Sequence, residues 1–158
     1  MNHFHLAIAA SMLALTVTSA SAAEFPKTGD TKATGYMTST PVEQLDGWEA
    51  DWQPEIYVQT GIIRNEKDGG PFDRSFLRCI GVAAMVAGQF SDSGTCTETD
   101  KDGDKIFITY GVGTFTFIGG TGKYKGMAGG GTVKADVAFQ DKKNGAYILA
   151  FEKHWAIK

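Results

Sequence analysis

Few residues are spaced for chemistry, and those few are specific. His154 stands two positions from Glu152 in Glu152-Lys153-His154-Trp155. In a strand, residues i and i+2 share a face, so Glu152 can orient His154 as a general acid or base. The opposite face of that strand carries Phe151, Lys153 and Trp155. Asp73, followed by Arg74, and Glu98 are the other acids to consider. A carboxyl group kept neutral by apolar surroundings can protonate an epoxide or a quinone methide. The competing reading of each is a solvated surface group. Trp48, Trp52, Tyr57, Tyr110, Tyr124 and Trp155, with Tyr147, supply aromatic area for core packing or for a ligand pocket, whose walls are mostly apolar with a few polar groups.

Other chemistries fail on spacing. Gly120-Thr121-Gly122-Lys123 resembles part of a phosphate loop, but Phe117 stands where the first glycine is needed and Tyr124 replaces the Ser/Thr. A tight turn whose Tyr124 packs on the end of the domain explains the same residues. Asp100-Lys101-Asp102-Gly103-Asp104 resembles half a calcium loop, yet its glycine precedes the third acid and no distal Glu follows. Asp102-Gly103 as a hairpin turn accounts for it without a metal. Beyond His3 and His5 only His154 remains, which leaves no histidine cluster for zinc. No Gly-x-Ser-x-Gly elbow occurs. No metal and no cofactor is expected.

These residues are carried by a chain of 158 residues, the length of one domain. It is 42% hydrophobic and 21% charged, which is ordinary globular usage. The net charge of −3 argues against a nucleic-acid partner. Residues 1–22 have an uncharged apolar run from about Leu6 to Val17 and end in Ala20-Ser21-Ala22, the pattern of a cleaved signal peptide. The run is too short for a comfortable membrane span, which takes about 20 residues. A periplasmic or secreted protein is therefore expected. Residues 23–34 read as a polar leader and 35–158 as one domain.

Export gives meaning to the only cysteines, Cys79 and Cys96. A hairpin turning at Ala87-Gly88 places them equally far from the turn and so directly opposite. The alternation of antiparallel pairs puts them in a non-hydrogen-bonded site, with Cα atoms only ~4.5 Å apart. A disulfide is expected. No Cys-x-x-Cys suggests redox catalysis.

Strands are expected over Tyr36–Thr40, Glu55–Ile63, Phe76–Val86, Phe90–Thr99, Ile106–Tyr110, Thr114–Ile118, Thr132–Phe139 and Tyr147–Ile157, joined mostly by short turns. Ile106, Ile108 and Tyr110 share one face. Residues 41–55 form an acidic segment containing Trp48 and Trp52, expected as a loop or irregular strand. Gly119–Gly131 reads as a glycine-dense connection. Eight strands without an amphipathic helix suit an all-β sandwich or a closed up-and-down barrel. The antiparallel barrel is preferred because closure removes exposed edges. Its interior is either filled by side chains or able to hold one small ligand.

The segment Cys96-Thr97-Glu98-Thr99-Asp100-Lys101-Asp102-Gly103-Asp104-Lys105-Ile106-Phe107, then Phe115-Thr116-Phe117-Ile118-Gly119-Gly120-Thr121-Gly122-Lys123-Tyr124-Lys125-Gly126-Met127-Ala128-Gly129-Gly130-Gly131-Thr132, resembles the allene oxide cyclase/dirigent barrel superfamily, especially its small exported bacterial members. The likeness covers roughly Phe76 to Val133. It implies an eight-stranded antiparallel barrel with a central cavity. Plant members are cofactor-free: one branch steers cyclisation of a fatty-acid epoxide, the other stereoselective radical coupling. Their catalytic residues lie outside the matched segment, so none is carried over. Relatives of the fold often associate, which implies a homo-oligomer.

Three functions follow as expectations. The first is a barrel that binds a small apolar or aromatic ligand in its interior or at its mouth. The second is a cofactor-free cyclase or isomerase, which requires an inward acid with a raised pKa. The third is a protein-interaction barrel with a filled interior.

Overall fold

The structure is a computed structural model that describes residues 25–45, 52–141 and 144–158. Residues 1–22, expected as a signal peptide, and Trp48 lie outside the described residues. Eight strands follow in chain order: β1 Thr28–Gln44, β2 Trp52–Asn65, β3 Ser75–Val86, β4 Gln89–Thr99, β5 Lys105–Gly111, β6 Thr114–Gly120, β7 Met127–Gln140 and β8 Gly145–Ile157. Each pairs antiparallel with the next, and β8 closes on β1 to form a barrel.

The hairpin arithmetic of the sequence holds across β3 and β4. Ala87 and Gly88 both have positive φ, 50° and 72°, as a two-residue turn requires. Cys79 is paired with Cys96, and their sulfurs are bonded with the Cα atoms 4.0 Å apart. Alternation then decides what faces the lumen. Ala33, Gly35, Met37 and Ser39 of β1 point inward, as do Leu77, Cys79 and Ala83 of β3, and Leu149, Phe151, Lys153 and Trp155 of β8.

Two elements are longer than the sequence pattern suggests. β1 takes in residues 28–34, expected as leader, because its inward residues there are small and its outward ones polar, which hides the period. β7 begins at Met127, so Gly129, Gly130 and Gly131, expected in a connection, are strand. Gly129 has φ 122°, and a Cβ on Gly130 would run into the Phe115 carbonyl of β6. Glycine is needed there for close approach of backbones. Gly119, with φ 137°, sits at a bulge where the β5–β6 register shifts between Phe107 and Ile108.

One end of the barrel is plugged. A short 3-10 turn, Gly122–Tyr124, tucks the Tyr124 ring inside, where it meets Phe25 at 4.9 Å between centroids and stacks on Phe72. Trp155 meets Phe72 edge-on at 5.0 Å. Phe72 is delivered by the β2–β3 loop, in which Phe72 and Arg74 have positive φ. Asp73 holds that loop: its buried carboxylate accepts hydrogen bonds from the amides of Asn65 and Gly69 and from Arg64 Nε. Burial alone would raise its pKa, but these donors together hold it below the ordinary value.

Candidate functional site

Above the plug the lumen is open. A cavity of about 520 Å³ is walled by Leu77, Ile108, Phe115, Leu149 and Phe151, with the disulfide in the same wall. That volume lies within the range of small-molecule sites.

The floor is an ion pair that crosses the lumen. Lys153 of β8 and Glu98 of β4 stand four strands apart around the barrel. Lys153 Nζ donates to both Glu98 oxygens, at 2.9 and 2.8 Å. Both side chains are 2% exposed. Ser75 Oγ donates to Glu98 Oε1 at 2.6 Å. Below, the Lys153 ammonium sits 4.6 Å from the Phe72 ring centroid, a cation–π contact that joins the floor to the plug.

The upper wall is set by register. Tyr57, Gly81, Gly94 and Tyr110 form one row across β2, β3, β4 and β5. The two central residues lack side chains, so the tyrosines fold over them and meet. A Cβ on Gly81 would lie 2.6 Å from Tyr57 Oη. Tyr57 Oη donates to Asp92 Oδ1 at 2.7 Å and lies 2.6 Å from Tyr110 Oη, which is left as the donor in that contact. The next row toward the mouth is Glu55, Ala83 and Asp92. Ala83 is small, so the two carboxylates flank an open space.

Burial pushes the Asp92 carboxyl above its ordinary value, against the lowering effect of Tyr57 and the Ser93 amide. Burial likewise raises the phenols. Tyr110 is pushed up to about 12, with the Asp92 charge adding to the effect. Tyr57 is raised further, by burial and then by its bonds to Tyr110 and Asp92. The Tyr147 phenol is raised by burial and by the charges of Glu55 and Asp92, which places all three groups around one space.

The structure separates the residues singled out in the sequence. Tyr57, Tyr110 and Glu98 line the cavity. Tyr124 and Trp155 belong to the plug, and Asp73 to the loop behind it. Glu152 and His154 do share a face, but it is the outer one. They border a surface depression with Asp30, Lys32 and Thr132, and Glu152 pairs with Lys32 at 3.4 Å. His154 therefore has no route to the lumen. The backbone of Trp52 begins β2. The acids of Asp100–Asp104 are engaged locally: Lys123 bridges Asp100 and Asp102, and the Lys123 amide donates to Asp104. Asp92, Glu55 and Lys153 were not singled out in the sequence. Asp92 has the parity of Cys96 and Glu98 on one strand, and Lys153 stands between Phe151 and Trp155 on an apolar face. Both were legible signals.

The architecture is a plugged, eight-stranded antiparallel barrel with its lumen open above a buried ion pair, and in fold it is dirigent-like. Among solved structures it is similar to the pterocarpan synthase dirigent protein GePTS1, 13% identical, with a TM-score of 0.52 over 84% of this chain and 87% of that one. It is similar also to the pterocarpan synthase dirigent protein PsPTS1, at 13% identity and a TM-score of 0.52, covering 85% of this chain and 99% of that one. At that identity the likeness is one of fold. No family model matches the chain, and no curated protein matches it.

Proposed function

We propose that this barrel is an exported receptor that holds one small apolar or aromatic molecule in the upper lumen. The observation that carries this reading is the 520 Å³ cavity itself, apolar in its walls and closed below by the ion pair and the aromatic plug. A filled interaction barrel would show side chains in that space. Export rests on the pattern of residues 1–22 and on the disulfide, which persists in oxidising compartments. The small exported bacterial members of the superfamily are the relatives this reading places it with.

A neutral apolar fluorophore, N-phenylnaphthylamine, tests the reading. The wild type should bind one equivalent with a blue-shifted emission, and Leu149→Trp, which fills the cavity from β8, should lose it. Equal binding by both proteins, or none by either, contradicts a lumenal site.

A second reading has its own observation. Asp92 is an inward acid with a raised pKa, hydrogen-bonded to Tyr57 in an apolar cavity. This is what a cofactor-free cyclase or isomerase of the superfamily's kind requires, though from Asp92 and not from Glu98, Asp73 or Glu152. Under that reading Asp92→Asn abolishes turnover of a bound epoxide or quinone methide while neutral-ligand binding persists. Retained turnover would contradict it.

Self-association belongs to the same proposal. Ile148, Tyr36, Ile62 and Phe76 lie side by side across β8, β1, β2 and β3 on the outer wall, each 41–52% exposed. Ile62→Lys should lower the mass found by sedimentation, and an unchanged mass would contradict the interface.

A further inference from the structure

The charges that line the cavity do not balance. Its ionisable carboxylates are Glu55, Asp92 and Glu98. Its one cation among the described residues, Lys153, is consumed by Glu98. Two carboxylates are left at the upper level, with no positive group of the described chain facing them. Each is only partly satisfied. Glu55 is 8% exposed, and among the described residues its hydrogen-bond donor is Gln44, to Oε2 at 3.1 Å. Asp92 receives Tyr57 on Oδ1 and the Ser93 amide, neither of them a cation. The raised pKa of Asp92 is the signature of a carboxylate whose desolvation is not offset by a nearby cation.

The surroundings of these acids are aromatic. Tyr57, Tyr110 and Tyr147 reach the same space, and the electron-rich faces of such rings attract cations. The register explains why the space is empty: Glu55 and Asp92 lie on the two strands flanking Ala83, a separation of two strand spacings, about 9.6 Å along the sheet. Both carboxylates line the lumen, and the register position between them is Ala83, whose side chain is a single methyl group. Below this level the walls are mostly apolar, with Gln59 beside the disulfide, down to the Lys153–Glu98 floor.

We infer that the cavity selects a cationic ligand: an amine or quaternary ammonium on an apolar or aromatic body, with its charge between Glu55 and Asp92 beside the tyrosines and its body directed toward Leu149 and Phe151. A carboxylate-bearing amphiphile such as a fatty acid meets two like charges in the same position and is excluded. The inference rests on the proposed lumenal site and narrows it to a charge class. Glu55 and Asp92 are then specificity determinants, and the rings supply the contact area.

The test uses three probes of one body, naphthylethylammonium, naphthylethanol and naphthylacetate, titrated into the oxidised protein by calorimetry at neutral pH and low salt. The cation should bind at least roughly tenfold tighter than the neutral alcohol, a ratio within reach of one ion pair or cation–π contact in a partly dry site. The anion should bind most weakly. Glu55→Gln and Asp92→Asn should each bring the cation toward the alcohol's affinity while leaving the alcohol unchanged, and that unchanged affinity shows the variants folded. Equal affinities for cation and alcohol, or an anion bound tightest, overturn charge selection and leave the apolar receptor standing. Failure of all three probes to bind overturns the receptor and the inference together.

Discussion

The Lys153–Glu98 pair is the feature on which the lumen's shape depends, and its removal has a calculable cost. Glu98 accepts three hydrogen bonds, two from Lys153 Nζ and one from Ser75 Oγ. Lys153→Met deletes two of the three and leaves a carboxylate at 2% exposure without its cation. Breaking one side of such a pair costs about 3–5 kcal/mol. A domain of this kind has a total stability of about 5–15 kcal/mol, so the single variant loses a large share of it. Glu98→Leu strands the ammonium and should cost as much. Replacing both, as Lys153→Met with Glu98→Leu, removes both charges and fills similar volume with apolar atoms. That change is typically neutral or mildly stabilising. Ser75 Oγ can then turn its one proton from Glu98 to the Phe72 carbonyl, 3.0 Å away. With about 3–5 kcal/mol lost in each single variant and about none in the double, the expected coupling energy is about 6 kcal/mol or more, read from urea midpoints of the four oxidised proteins at constant m. Single costs that add to the double cost within ~0.5 kcal/mol would refute a dry, charge-paired floor.

Three further outcomes follow from the same geometry. Removing the disulfide as Cys79→Ala/Cys96→Ala releases a closure of sequence separation 17 and should cost about 3 kcal/mol. Calorimetry should show a melting point lower by about 10 °C, and a melting point indifferent to both the substitution and reductant contradicts it. Gly81→Ala puts a methyl group against the Tyr57 and Tyr110 hydroxyls and should cost about 1–3 kcal/mol. In that variant the ultraviolet titration of Tyr110, held up to about 12 in the parent, should move downward, and an unchanged curve would mean that the tyrosines do not meet over the glycine pair. Asp92 binds its proton more tightly folded than unfolded, so it favours folding below the ordinary carboxylate pKa and loses that contribution as pH rises through the raised value. Asp92→Asn should accordingly match or exceed the parent's stability at neutral pH, with a flatter profile across the acid range. A less stable variant at neutral pH would show that the carboxylate is compensated after all.

Local rules carried much of the fold. The Ala87-Gly88 turn and strict alternation determined the Cys79–Cys96 pair, and the same alternation placed Ile106, Ile108 and Tyr110 inside. The β1 start was hidden because Ala33 and Gly35 are small, and period two is visible only when inward residues are large. The site was less legible for a topological reason. Glu98 and Lys153 are 55 residues apart and meet only because the sheet closes, so their contact depends on register accumulated around the barrel. The chemistry suggested by Glu152 and His154 follows correctly from strand geometry, yet that geometry cannot say which face is the lumen. Lys153 could have decided it, since Phe151 and Trp155 on its side need burial more than a glutamate and a histidine do. The Gly81–Gly94 pair was also readable as a hollow in the wall, but what fills the hollow comes from β2 and β5.

Native mass spectrometry of protein recovered from its native source, before and after mild organic extraction and beside Leu149→Trp, tests the lumenal receptor most directly. The account predicts one small co-purifying mass on the wild type that leaves on extraction and never appears on the variant. Bare chain mass for both proteins, or the same adduct on both, would contradict it.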